Sequence, residues 1–109
     1  MKITKEKKII IQHLAYTVEI KDSKKAKGEV KEFLHKYVAC SQEIDRHKTI
    51  IWVQFPIIES EIPTILHELI HALQNICKWH AIDFVEETEH VAYIYHYMVN
   101  EALGYKYDL

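Results

Sequence analysis

Residues 60–78 read Ser60-Glu61-Ile62-Pro63-Thr64-Ile65-Leu66-His67-Glu68-Leu69-Ile70-His71-Ala72-Leu73-Gln74-Asn75-Ile76-Cys77-Lys78. Ile62, Leu66, Leu69, Leu73 and Ile76 recur at spacings of three and four, which is the period of one helical face. Pro63 is tolerated in a first turn, Ser60 can cap it, and the helix is expected to end near Lys78. Polar His67, Glu68 and His71 interrupt this apolar helix, where an ordinary core helix would use Leu or Ala. Burying unpaired polar groups is costly, and a shared metal ion would offset that cost.

The interruption spells H-E-x-x-H in helical register. Two histidines four apart project from one face, a turn apart, close enough for both imidazoles to bind one Zn²⁺. Glu68 is one residue off that axis, so it can face a zinc-bound water without occupying the metal, and it is the candidate general base. A catalytic zinc usually takes three protein ligands.

The third is sought on a second helix. Asp83 with Glu86 three residues on is a capping pattern, and Val85, Ala92, Val99 and Ala102 mark a helix running to Gly104. A connection of about five residues makes the pair antiparallel. Reflection about position 80 then sets His71 beside Glu89 and His67 beside Tyr93, which makes Glu89 the expected third ligand. His90 is at the right height but rotated by about 100°, and is the second choice. Tyr93 and His96, one and two turns beyond Glu89, are candidates to stabilise an oxyanion, though packed aromatics with satisfied polar tips would look the same.

Upstream, residues 9–21 mix β-branched and aromatic residues and read as a strand. Residues 29–38 are ambiguous between helix and strand. Lys48 to Phe55 (KTIIWVQF) is a strand stopped by Pro56, and residues 42–48 look like a hairpin connection back to a strand near 37–41. The expected fold is α+β, a small antiparallel sheet followed by an antiparallel helix pair that carries the metal site.

Composition sets the frame. The 109 residues suit one domain spanning 1–109, and 49% hydrophobic with 28% charged residues is a globular profile. The eight histidines are about three times the usual share. Cys40 and Cys77 form no C-x-x-C pair and read as small buried thiols of a reducing, cytoplasmic setting. Charge is divided: residues 1–38 carry 10 Lys against 5 acids, and residues 39–109 carry 4 basic groups against 11 acids. The basic third has no Arg and no nucleic-acid motif, so no nucleic-acid partner is expected. Apolar runs fall far short of the roughly 20 residues that span a bilayer, so no membrane is expected either.

TILHELIHALQ followed by EETEHVAYIYHYMV resembles the small zinc metallopeptidases of the zincin class, in its gluzincin-like branch, and within it minimal metallopeptidases encoded by phages or mobile elements. The resemblance covers roughly residues 36–103 and is specific in its second half. It implies a zinc-dependent hydrolase with His67, His71 and Glu89 as ligands and Glu68 acting on the zinc-bound water. Its substrate would be a peptide or protein, docked along the edge of residues 48–55 or of the neighbouring strand. The sequence departs from larger members in having no further domain for a second cleft wall, so a protein partner or oligomer completing the cleft is expected. The alternative is a non-catalytic, metal-stabilised binding or regulatory module built on the same helix pair.

Overall fold

Thr49 to Val53 are all buried, one residue after another, which is the signature of a strand covered on both faces. This strand, β5 (Lys48–Val53), is interior to a four-stranded sheet ordered β2-β3-β5-β4, with β2 at Lys7–Ile11, β3 at Tyr16–Asp22 and β4 at Ala39–Asp45. The computed structural model describes residues 2–104. A two-residue strand, β1 (Lys2–Ile3), pairs with β6 (Ile57–Ile58) in a separate ribbon.

The α+β class holds, with two differences from the expected sheet. First, residues 9–21 are not one strand. They turn back on themselves through a short 3-10 segment, Gln12–Leu14, so that β2 and β3 pair antiparallel with Ile9 opposite Val18 and Ile11 opposite Tyr16. Second, the sheet is mixed rather than antiparallel: β3 and β5 run parallel, Val18 beside Thr49 and Ile20 beside Ile51, while β4 and β5 form the expected hairpin with a shorter connection, because β4 runs on to Asp45 and only residues 46–47 turn. The parallel pair is connected by α1 (Gly28–Leu34) and β4, so the ambiguous stretch resolves into a helix over its first half.

The two faces of the sheet bury different partners. Ile50 and Trp52 of β5 meet Ala26, Val30 and Leu34 on the α1 side. Ile51 and Val53 join Ile9, Ile11, Tyr16, Val18 and Ile20 in the main core on the other side. Two long helices cover that side, α2 (Ile62–Trp79) and α3 (Thr88–Leu103), packed on each other. A 3-10 turn at Glu59–Glu61 leads into α2, and no side chain caps it, so Ser60 does not serve as its cap. Pro63 sits in the first turn as expected.

The connection between α2 and α3 is longer than the sequence suggests. Asp83 does cap a turn, its Oδ1 accepting the Val85 and Glu86 amides at 2.9 Å, while the Glu87 carboxylate accepts the Asp83 amide at 2.7 Å. That turn stops, and α3 proper begins at Thr88. Helix α3 buries Val91, Ile94, Met98, Ala102 and Leu103; of the Val85, Ala92, Val99 and Ala102 stripe read from the sequence, Ala102 is buried and Val99 half-buried against the core, while Val85 and Ala92 are exposed. Among the described residues, no helix is long and apolar enough to cross a membrane.

Candidate metal centre

The face of α2 opposite its core residues carries His67 and His71, both exposed, while Glu68 between them turns inward and is only 7% exposed. The two imidazoles meet edge to face with their Nε2 atoms 3.2 Å apart. Two nitrogens each about 2.0–2.1 Å from a tetrahedral zinc would stand about 3.3 Å from one another. The separation therefore fits a shared ion. Gln74, one turn on, sets its Oε1 3.2 Å from His71 Nδ1. If that nitrogen donates to the amide oxygen, the proton is held on Nδ1 and the Nε2 lone pair is left facing His67.

Glu68 is held from the sheet. Ser41 of β4 places its Oγ 2.9 Å from Glu68 Oε1 and 3.0 Å from the Glu68 carbonyl oxygen, so its single hydroxyl proton serves one or the other. Alternation along β4 makes this possible: Ala39, Ser41 and Glu43 face α2, while Cys40 and Gln42 face the α1 side. Glu43 borders the same cleft but is engaged, its carboxylate accepting from Lys78 at 2.7 and 2.8 Å and from the Trp79 indole at 3.1 Å. Cys40 also borders it. Burial pushes its thiol up from the usual range and the Glu68 charge adds in the same direction.

These residues line a cleft of about 480 Å³. One wall is α2 with His67, Glu68, His71 and Asn75, and the floor is β4. The opposite wall comes from α1 and the residues after it, where Phe33 and Tyr37 stack with ring centroids 4.3 Å apart. The chain thus supplies a second wall of its own.

The residues expected on α3 stand elsewhere. Glu89 is exposed on the first turn of α3 and does not line the cleft. For an antiparallel pair its height is as the sequence implies, since the Tyr95 hydroxyl donates to the Leu66 carbonyl at 3.3 Å and that contact would set residues near 90 level with His71. Its rotation is not: at 100° per residue Glu89 lies roughly 140–180° from Val91, Ile94 and Met98, the side chains that α3 buries. Tyr93 is 53% exposed and lines a different cavity with Ile10, Ile11, Gln12, His13, Ile94 and Tyr97. His96 is half-buried and lines neither space. His90 faces His13. Among the described residues, no third His, Cys, Asp or Glu gathers with His67 and His71.

Two contributors escape the sequence reading. Gln74 was within reach, because a polar residue three after His71 shares its face. Ser41 was not, since its place beside Glu68 depends on how β4 lies against α2, which no local pattern encodes. Comparison with known proteins adds no further constraint: no family model, curated protein or solved structure matches the chain.

Proposed function

We propose that the chain is a zinc-dependent peptidase of zincin-like design, with His67 and His71 holding the metal and Glu68 as general base; Glu89, on the outer side of α3, is the third ligand that the resemblance implies. The observation that carries this reading is the convergence of the His67 and His71 Nε2 atoms at 3.2 Å with the Glu68 carboxylate held between them and the sheet. Glu89 enters on its height against α2 in an antiparallel pair. Zinc bound there supplies a Lewis acid that polarises the scissile carbonyl and acidifies water.

The protein's own groups do the rest. Ser41 orients one oxygen of Glu68, leaving the other to take the proton of the attacking water and return it to the departing amine. β5 is interior, so its neighbour β4, at the sheet edge beside α2, is the strand along which an extended peptide would add its main-chain hydrogen bonds. Phe33 and Tyr37 then face the peptide's side chains across the cleft. Tyr93 lies outside that cleft and the Ser41 proton is committed to Glu68, so the side-chain donors available to a developing oxyanion within it are the Tyr37 hydroxyl and the second N–H of Asn75.

The test is hydrolysis of an unstructured protein by zinc-loaded chain, with and without a chelator, alongside Glu68→Gln. Glu68→Gln is expected to keep its zinc and lose at least about 100-fold in rate. Hydrolysis at an undiminished rate would remove Glu68 from the reaction. Zinc binding without hydrolysis of any unfolded substrate by the parent would leave the metal-stabilised binding module in its place.

A further inference from the structure

On the far side of α3 from this cleft a second pair of imidazoles converges. His13 stands on the 3-10 turn between β2 and β3, and His90 on the first turn of α3. Their Nε2 atoms are 3.3 Å apart, with ring centroids at 5.6 Å and planes tilted by 38°. That nitrogen separation matches the one at His67 and His71, although here the residues come from elements 77 positions apart. Glu87 Oε1 stands 3.7 Å from the other ring nitrogen of His90, Nδ1. A carboxylate on that side favours the proton on Nδ1 and leaves the Nε2 lone pair directed at His13.

The crossing that brings them together is fixed by the fold. The Tyr97 hydroxyl donates to the Ile10 carbonyl at 3.0 Å, and α3 packs on β2 along the same line. His13 lines a cavity of about 260 Å³ together with Tyr93 and is exposed, so an ion can reach the pair from that side and water can fill its remaining positions. Two neutral imidazoles with no thiolate suit borderline transition cations such as Zn²⁺, Ni²⁺ and Cu²⁺, and do not suit Ca²⁺ or Mg²⁺.

We propose that His13 and His90 form a second divalent transition-metal site, which ties the β2–β3 turn to α3. An ion that binds this pair only when both elements are in place stabilises the folded chain by mass action. The site does not rest on the peptidase reading, because it shares no ligand with the cleft and its readout is binding and melting rather than hydrolysis.

The experiment uses the full chain carrying His67→Ala and His71→Ala, titrated with zinc chloride and separately with copper chloride in equilibrium dialysis, with thermal melting in parallel. One equivalent should bind, copper more tightly than zinc, and the melting temperature should rise with metal concentration. Adding either His13→Ala or His90→Ala should weaken binding at least about tenfold and abolish the rise. In the otherwise native chain the same single substitutions should lower bound zinc by one equivalent, which keeps the test intact should the double variant fold poorly. A histidine pair that is only hydrogen-bonded would give no binding in the His67→Ala/His71→Ala chain and no loss of zinc from the singly substituted native chain. Either result, or binding that survives both substitutions, overturns the proposal.

Discussion

Glu89 is the residue at which height and rotation part company. Tyr95 and Leu66 set it level with His71, while the apolar stripe of α3 turns it outward. Its assignment as a ligand therefore needs a direct measurement. Glu89→Gln is expected to weaken zinc binding at least about tenfold, the scale at which one protein ligand is felt. Unchanged affinity in equilibrium dialysis would remove it and leave the metal to two histidines. His80 makes the opposite case, a polar group with nothing to do. Its Nε2 is buried without a hydrogen-bond partner among the described residues, and its ring sits edge-on to Tyr16 with centroids 6.2 Å apart. An unsatisfied buried nitrogen costs about 1–3 kcal/mol, so His80→Phe should raise stability by about 1 kcal/mol in urea unfolding. A loss instead would mean that the nitrogen is satisfied in solution.

At the scale of elements, α2 was legible because everything it needs is local: its apolar period, Pro63 in the first turn and the polar His67, Glu68 and His71 that interrupt it, the two histidines outward and the glutamate inward. The hairpin of β4 and β5 was legible for the same reason. The turn at Gln12–Leu14 was not, because its left-handed position is filled by Ala15, at φ 49°, where Gly, Asn or Asp would have announced a reversal. The parallel pairing of β3 with β5 left only an indirect trace, the unbroken burial of Thr49 to Val53, which reads equally as one hydrophobic run in either sheet type. Of the candidate site, the α2 half was readable and the α3 half depended on which side of α3 is buried. The Asp83–Glu86 pattern implies a helix start, whereas Asp83 caps a separate turn closed by Glu87 and α3 begins at Thr88. With its carboxylate accepting two amides, Asp83→Ala should cost about 0.5–2 kcal/mol, seen as a lower urea midpoint with an unchanged slope. A null effect would mean that this turn adds nothing to the docking of α3 on α2.

For the whole molecule, the metal reading and the fold make one joint prediction. Removing bound zinc with a chelator should lower the melting temperature, by an amount that grows with the zinc concentration of the holo sample. Equal melting of holo and chelated protein would mean that no ion holds folded chain together. The mixed sheet bears on a different property, the order in which the chain acquires its structure. The β2–β3 and β4–β5 hairpins form between near neighbours in sequence, whereas the parallel ladder sets Thr17 beside Lys48, 31 positions on. That closure loses chain entropy before any contact repays it, so docking of the two finished hairpins should be the rate-limiting event. Ile51→Val, at the seam, should then slow refolding roughly two- to tenfold while scarcely touching unfolding. Met98→Ala, on the helix added afterwards, should act mainly by speeding unfolding, and stopped-flow chevrons that reversed this pattern would put α3 in the nucleus.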